Sequence, residues 1–228
     1  MGIDNKNSNI VILAKSRKHS AHCIAGVDCN SNKLVRVITD NEYNHYAISA
    51  DDIEDDKGKV AEVYDNIIIK TIENKIEVAH QPENIMLDTR YYVTNKGQYK
   101  REDLRKIIDK LSNKYEYIFF NSNKCISQSE FEEISENERH SLEIVNAEYL
   151  IIRVKDIEKK RLKASIKYNG VWYNSLSITD GDFERRYYEE VVNSPFEYIT
   201  LNNPYVLLSL GENFNGNYYK LIACILSI

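Results

Sequence analysis

A β-rich α+β fold, two five-stranded barrels joined by a helical segment, is what this sequence predicts, and three observations point to it. Short apolar runs with alternation and β-branching fill both ends of the chain, as at residues 10–14, 60–77 and 162–178, and period-two patterning marks half-buried strands. Between them Leu104, Ile107, Ile108 and Leu111 recur at three and four, the period of an amphipathic helix. The second half then reads as three strands, a helix and further strands, the order of an OB barrel with its helix between strands three and four.

Taken in order, residues 10–14 form an apolar strand that runs into a cationic turn of Lys15, Arg17, Lys18 and His19. A second strand covers residues 23–27, and a third carries Arg36. Residues 60–77 read as long strand material, ended before Gln81-Pro82-Glu83-Asn84, because proline cannot donate to a ladder. After the central helix, residues 115–120 are a short strand or buried segment, and the acidic stretch 129–138 is a helix or solvated loop. Strand character returns at residues 141–156 and 162–168, and Asn169-Gly170 is a two-residue hairpin turn into 171–178. Thr179-Asp180 caps a helix to about Val192, with Asp182 and Glu184 favouring its N-terminus. Strands 206–210 and 218–226 close the chain around Asn215-Gly216. The expected domains are residues 9–98, a helical connection at 99–140, and a second barrel at 141–228 with its helix near 180–192.

The net charge of -5 and pI of about 5.6 argue against a general nucleic-acid coat, which shows a basic domain with a pI above ~9; a local basic groove is compatible with both. Seventeen tyrosines against one tryptophan and six phenylalanines suit half-buried strands and stacking surfaces alike. No apolar stretch approaches the ~18 residues of a membrane helix. The polar N-terminus has no signal-peptide core, and Lys6 stands where a myristoylation motif needs serine or threonine. Cys23, Cys29, Cys125 and Cys224 form no CxxC pair, so reduced thiols and a cytoplasmic location without a membrane are expected.

Four segments resemble the dual OB-fold domain family of prokaryotic and phage proteins: ILAKSRKHSAHCIAGVD with VRVIT, AHQPEN, YNSLSITDGDFERRY, and LLSLGENFNGNYYKLIACI. They span nearly the whole chain in order, the last being the most specific. The resemblance implies two OB barrels and a nucleic-acid role. Where that family carries an aromatic, basic and proline run, this chain has Leu34-Val35-Arg36-Val37, and Gly181 follows Thr-Asp in place of proline.

Lys15, Arg17 and Lys18 with Arg36 form the best anion-binding candidate, since lysine and arginine meet phosphate and arginine can hold two oxygens. Gln81, Glu83 and Asn84 could read a base edge or a ribose hydroxyl, or cap the turn at Pro82. Thr179 and Asp180 read as a helix cap. Ser209, Glu212 and Lys220 surround the glycine of the closing hairpin, with Glu212 and Lys220 as an ion pair or part of a site. His19, His22, Cys23 and Cys29 have ligand chemistry for zinc, yet adjacent strand residues point to opposite faces, so a core cysteine is preferred and no metal or cofactor is expected. No nucleophile–base pair, P-loop or HExxH motif is present. The leading expectation is a module binding single-stranded or structured RNA or DNA, through basic turns and an inter-barrel cleft. The alternatives are a nucleotide-binding enzyme or sensor of a phage or anti-phage system, and a protein-binding adaptor or inhibitor with an acidic surface.

Overall fold

The computed structural model describes residues 6–18, 21–73, 76 and 78–228; His19 and Glu77 of the sequence reading lie outside them. The chain divides into two units, Met1–Ile107 and Ile108–Ile228.

In the first unit, β1 (Lys6–Lys18), β2 (Ala21–Asp28) and β3 (Lys33–Ile38) pair antiparallel in sequence. Two short 3-10 turns, Glu42–Asn44 and Asp51–Ile53, occupy the place where the barrel pattern puts a helix. Then come β4 (Asp65–Ile72), β5 (Asn84–Leu87) and β6 (Thr94–Gln98). β5 lies parallel to β3, β4 pairs with β5, β6 and β1, and so the order β1-β2-β3-β5-β4 leads back to β1. Alternation sends Ile10, Ile12, Ile24, Val35, Val37, Ile67 and Ile69 into one core. Gly26 is required by close approach: a Cβ there would run into the Val11 carbonyl oxygen, beside the β1 bulge between Ile12 and Ala14.

α1 (Arg101–Leu111) crosses the boundary between the units. In the second unit, β7 (Cys125–Ser127) leads into α2 (Gln128–Glu132), which is held by a capping box between Ser127 and Glu130. β8 (Leu142–Asn146) and β9 (Tyr149–Asp156) are halves of one run broken at Ala147 and Glu148. β10 (Arg161–Tyr168) and β11 (Val171–Ile178) follow, then α3 (Gly181–Val192), β12 (Tyr198–Asn202), β13 (Tyr205–Phe214) and β14 (Asn217–Leu226). The order is β12-β9-β10-β11-β14-β13-β8, with β11 parallel to β14 and β7 added beside β14. Leu150, Ile152, Leu162, Ala164, Ile166, Tyr173 and Leu176 pack with Phe183, Leu208 and Ile222 in the second core.

Several expectations change. Among the described residues the sheets have six and eight strands, because β6 extends the first, β12 and β7 extend the second, and the first strand of the second sheet is split into β8 and β9. Lys15, Arg17 and Lys18 lie in a strand and not in a turn: the ladder with β2 continues to Lys18, opposite Ala21. Strand β4 starts only at Asp65, since Tyr64 takes a positive φ and Asp65 closes a turn on the Glu62 backbone N–H. Residues 129–138 are helical only to Glu132. Residues 115–120 are no strand: bends lead into a 3-10 turn, Ile118–Phe120, in which Phe119 and Phe120 adopt positive φ and Ile118 and Phe119 are buried, as the buried-segment alternative has it. Cys224 is buried as expected, whereas Cys23 is only half-buried, at the end of β2 opposite Ser16.

Candidate nucleic-acid interface

In the first unit, two cations of β1, Lys15 and Lys18, are held by the chain itself. Lys15 Nζ donates to the Ala61 carbonyl at 2.8 Å and pairs with Glu62 at 3.1 Å, clamping the approach to β4. Lys18 Nζ donates to the His45 carbonyl at 2.7 Å. Arg17 is exposed. Arg36 does not lie on an exposed strand face: it is 3% exposed, and burial lowers its pKa while Cys23 and Glu83 act the other way. It stands on the face of β3 opposite the core residues Val35 and Val37, where Cys23 and Glu83 are its charged or titratable neighbours. The fold does bring Arg36 to the Gln81–Asn84 turn across 48 residues of sequence. Arg36 is the parallel partner of Asn84 and its N–H donates to the Glu83 carbonyl at 3.0 Å. Asn84 Nδ2 donates to Gln81 Oε1 at 3.3 Å. These four residues form a largely internal polar knot.

In the second unit, Thr179 donates through N–H and Oγ1 to the Ile222 carbonyl, at 2.9 and 3.1 Å. Asp180 accepts from the Asp182 and Phe183 N–H groups at 3.1 and 2.9 Å, as a helix cap should. Ser209 lies within the β13 ladder, and Glu212 is exposed at a β13 bulge between Leu210 and Asn213. Lys220 is not on the surface at all, being 1% exposed. Its Nζ donates to the Ile118 carbonyl, and to the Asn121 carbonyl and Oδ1 at 2.6 and 2.9 Å, with the Tyr173 ring centre 4.8 Å away. Burial lowers its pKa to about 7, against the raising effect of Glu143. Glu143 itself accepts from the Phe119 N–H at 3.0 Å and shares a 2.6 Å hydrogen bond with His140 Nε2. Lys220 and Glu143 thus hold the positive-φ turn in place. This is structural chemistry.

The surface suited to a polyanion lies elsewhere, on the outer face of β12, β9, β10 and β11. Register places Asn202, Tyr149, Lys167 and Trp172 side by side in one row across the four strands, and directly paired residues share a face. A parallel row holds Tyr198, Arg153, Lys163 and Ser177. The opposite side chains of these strands fill the core, so these must face outward. Tyr149 and Trp172 remain 43% and 40% exposed. Arg153 lies over the Tyr198 ring at 4.9 Å and Lys167 near Tyr149 at 5.7 Å. Lys155 reaches Ser177 Oγ at 2.8 Å on the same side. Glu148 pairs with Lys167 at 2.9 Å, and that contact, followed by the Gly170 N–H, lowers its pKa. No motif announces this face. Its signal was the alternation of Tyr149, Arg153, Lys163, Lys167 and Trp172, legible only once strand register is known.

The family model of the dual OB-containing domain matches residues 8–225. No curated protein matches the sequence. Among solved structures, the chain is similar to one described as structural mimicry for functional antagonism, at 11% identity over 97% of this chain and 89% of that one, with a TM-score of 0.29. It is also similar to an Ifi202 HINa domain in complex with 20bp dsDNA, at 12% identity over 78% and 76%, with a TM-score of 0.27. A tetrameric p202 HIN2 gives 8% identity over 96% and 90%, with a TM-score of 0.27. Scores of this size carry no inference about function.

Proposed function

This chain belongs to the dual OB-containing domain family, and from that premise we propose that it is a nucleic-acid-binding module built on two OB barrels, residues 9–98 and 141–228, joined through 99–140. The pairing of β1 with both β2 and β4, and the split run of β8 and β9 between β13 and β10, support a barrel reading of each sheet. The observation that carries the function is the outer face of β9–β12. Arg153, Lys163 and Lys167 stand there among Tyr149, Trp172 and Tyr198, and cations interleaved with aromatic planes fit a phosphate backbone carrying bases. An overall charge of -5 does not oppose this, because exposed charges beyond about 8–10 Å are screened at physiological salt.

Fluorescence anisotropy with labelled single-stranded DNA, single-stranded RNA and duplex DNA at two salt concentrations tests the proposal. Wild type binds at least one of them with a salt-dependent affinity. Replacing Arg153, Lys163 and Lys167 by alanine flattens the slope of log K against log salt by about 2, at ~0.7 per single-strand phosphate contact. Absence of binding to all three ligands, or an unchanged slope in the triple variant, would overturn the proposal.

A further inference from the structure

Taking the nucleic-acid reading as its ground, we infer that the Tyr149–Lys167–Trp172 row is a stacking platform for unpaired bases, so that the ligand is a single-stranded segment, with Glu148 restraining access to Lys167. Tyr149 and Trp172 sit on strands two spacings apart, about 9.6 Å. Strands at that spacing keep the two rings from covering one another, and Lys167 stands on the strand between, its Nζ 5.7 Å from the Tyr149 ring centre. Both rings stay partly exposed, at 43% and 40%, so each can take one base while the Lys167 ammonium, on the strand between them, meets the linking phosphate. A duplex cannot use this arrangement, because its base planes are covered by neighbouring pairs and only edges reach the grooves. The second row adds Tyr198 with Arg153 stacked on it at 4.9 Å, and Lys163 beside them. A strand crossing both rows would thus meet aromatic and cationic groups in alternation.

The acidic neighbour gives the platform a built-in competitor. Glu148 holds Lys167 at 2.9 Å and also accepts the Gly170 N–H at 2.8 Å, which anchors it at the rim of the β10–β11 hairpin. A phosphate must displace that carboxylate from Lys167. Glu148→Gln keeps an acceptor for the Gly170 N–H while removing the charge that competes.

Trp172 is the chain's single tryptophan, so its fluorescence reports on this row alone. The test titrates the full chain with a short unlabelled single-stranded oligonucleotide and with the matching duplex, and follows Trp172 emission and, in parallel, anisotropy of labelled versions. Expected are quenching by the single strand and not by the duplex, and a loss of about 5- to 150-fold in single-strand affinity for Trp172→Ala. Trp172→Phe, which keeps a ring, should retain most of the affinity. Glu148→Gln should bind single strands more tightly, with a salt slope steeper by roughly 0.7. Duplex binding equal to single-strand binding, with Trp172→Ala unchanged, would overturn the stacking platform and leave the nucleic-acid reading standing. Absence of binding to either form would overturn both.

Discussion

Replacing Lys220 by methionine separates a structural lysine from a ligand-binding one. Methionine keeps an apolar stem over the Tyr173 ring but removes the nitrogen that holds the Ile118 carbonyl and the Asn121 carbonyl and Oδ1, three acceptors that share two hydrogens once the amine is neutral. Ile118 is fully buried, so its carbonyl would be orphaned at a cost of about 1–3 kcal/mol. Asn121 is half-buried and water can replace part of its two bonds, adding about 1 kcal/mol. A loss of about 2–4 kcal/mol is expected at mildly alkaline pH. The sign of the pH dependence follows from the depressed pKa. The folded amine releases its proton near 7, while the unfolded one holds it until about 10.5. Between those values the unfolded state binds more protons, so wild-type stability gains up to ~1.4 kcal/mol per pH unit from this group. Below pH 7 the wild type bears the full cost of a buried ammonium, which methionine does not. The deficit of Lys220→Met is therefore larger at pH 8.5 than at pH 6. Urea denaturation of both proteins at the two pH values measures it, with oligonucleotide anisotropy alongside. A variant as stable as wild type at pH 8.5, or one that keeps its stability and loses oligonucleotide binding, would refute this role for Lys220.

Three further outcomes follow from the same structure. Asp180→Ala removes the acceptor for two N–H groups of α3 and should cost ~1 kcal/mol in chemical denaturation. Gly26→Ala drives a Cβ against the Val11 carbonyl and Ile10, so expression or melting temperature should fall by the equivalent of about 1–3 kcal/mol or more. Burial raises the Cys224 thiol well above its usual range; alkylation at pH 8 followed by mass spectrometry should find it unmodified in native protein and modified in urea.

The long elements were legible in the sequence because their patterns are strong. Residues 162–178 alternate cleanly about Asn169-Gly170, and Asp180 announced α3 by its cap. β6 and β12 are short edge strands: TNKGQ has no apolar residue, and the two core-facing residues of YITLN, Ile199 and Leu201, are too few to set a period by themselves. The candidate site was read from charge, and charge does not reveal burial. Arg36 and Lys220 look like surface cations in sequence, yet alternation with Ile222 turns Lys220 inward on β14, and Arg36, on the face of β3 opposite Val35 and Val37, is buried beside the Gln81–Asn84 turn. The Tyr149–Lys167–Trp172 row was hidden for the opposite reason. Its members come from two different hairpin arms and an adjoining strand, and only the observed register aligns them.

The central claim is that nucleic acid meets the outer face of β9–β12. An amide chemical-shift titration of isotope-labelled protein with a short single-stranded oligonucleotide tests it residue by residue. The largest shifts should fall on residues 149–153, 163–167, 172–177 and 198–202. Shifts confined to Lys15, Arg17, Lys18 and the Gln81–Asn84 turn, with Tyr149, Lys167 and Trp172 unmoved, would contradict it.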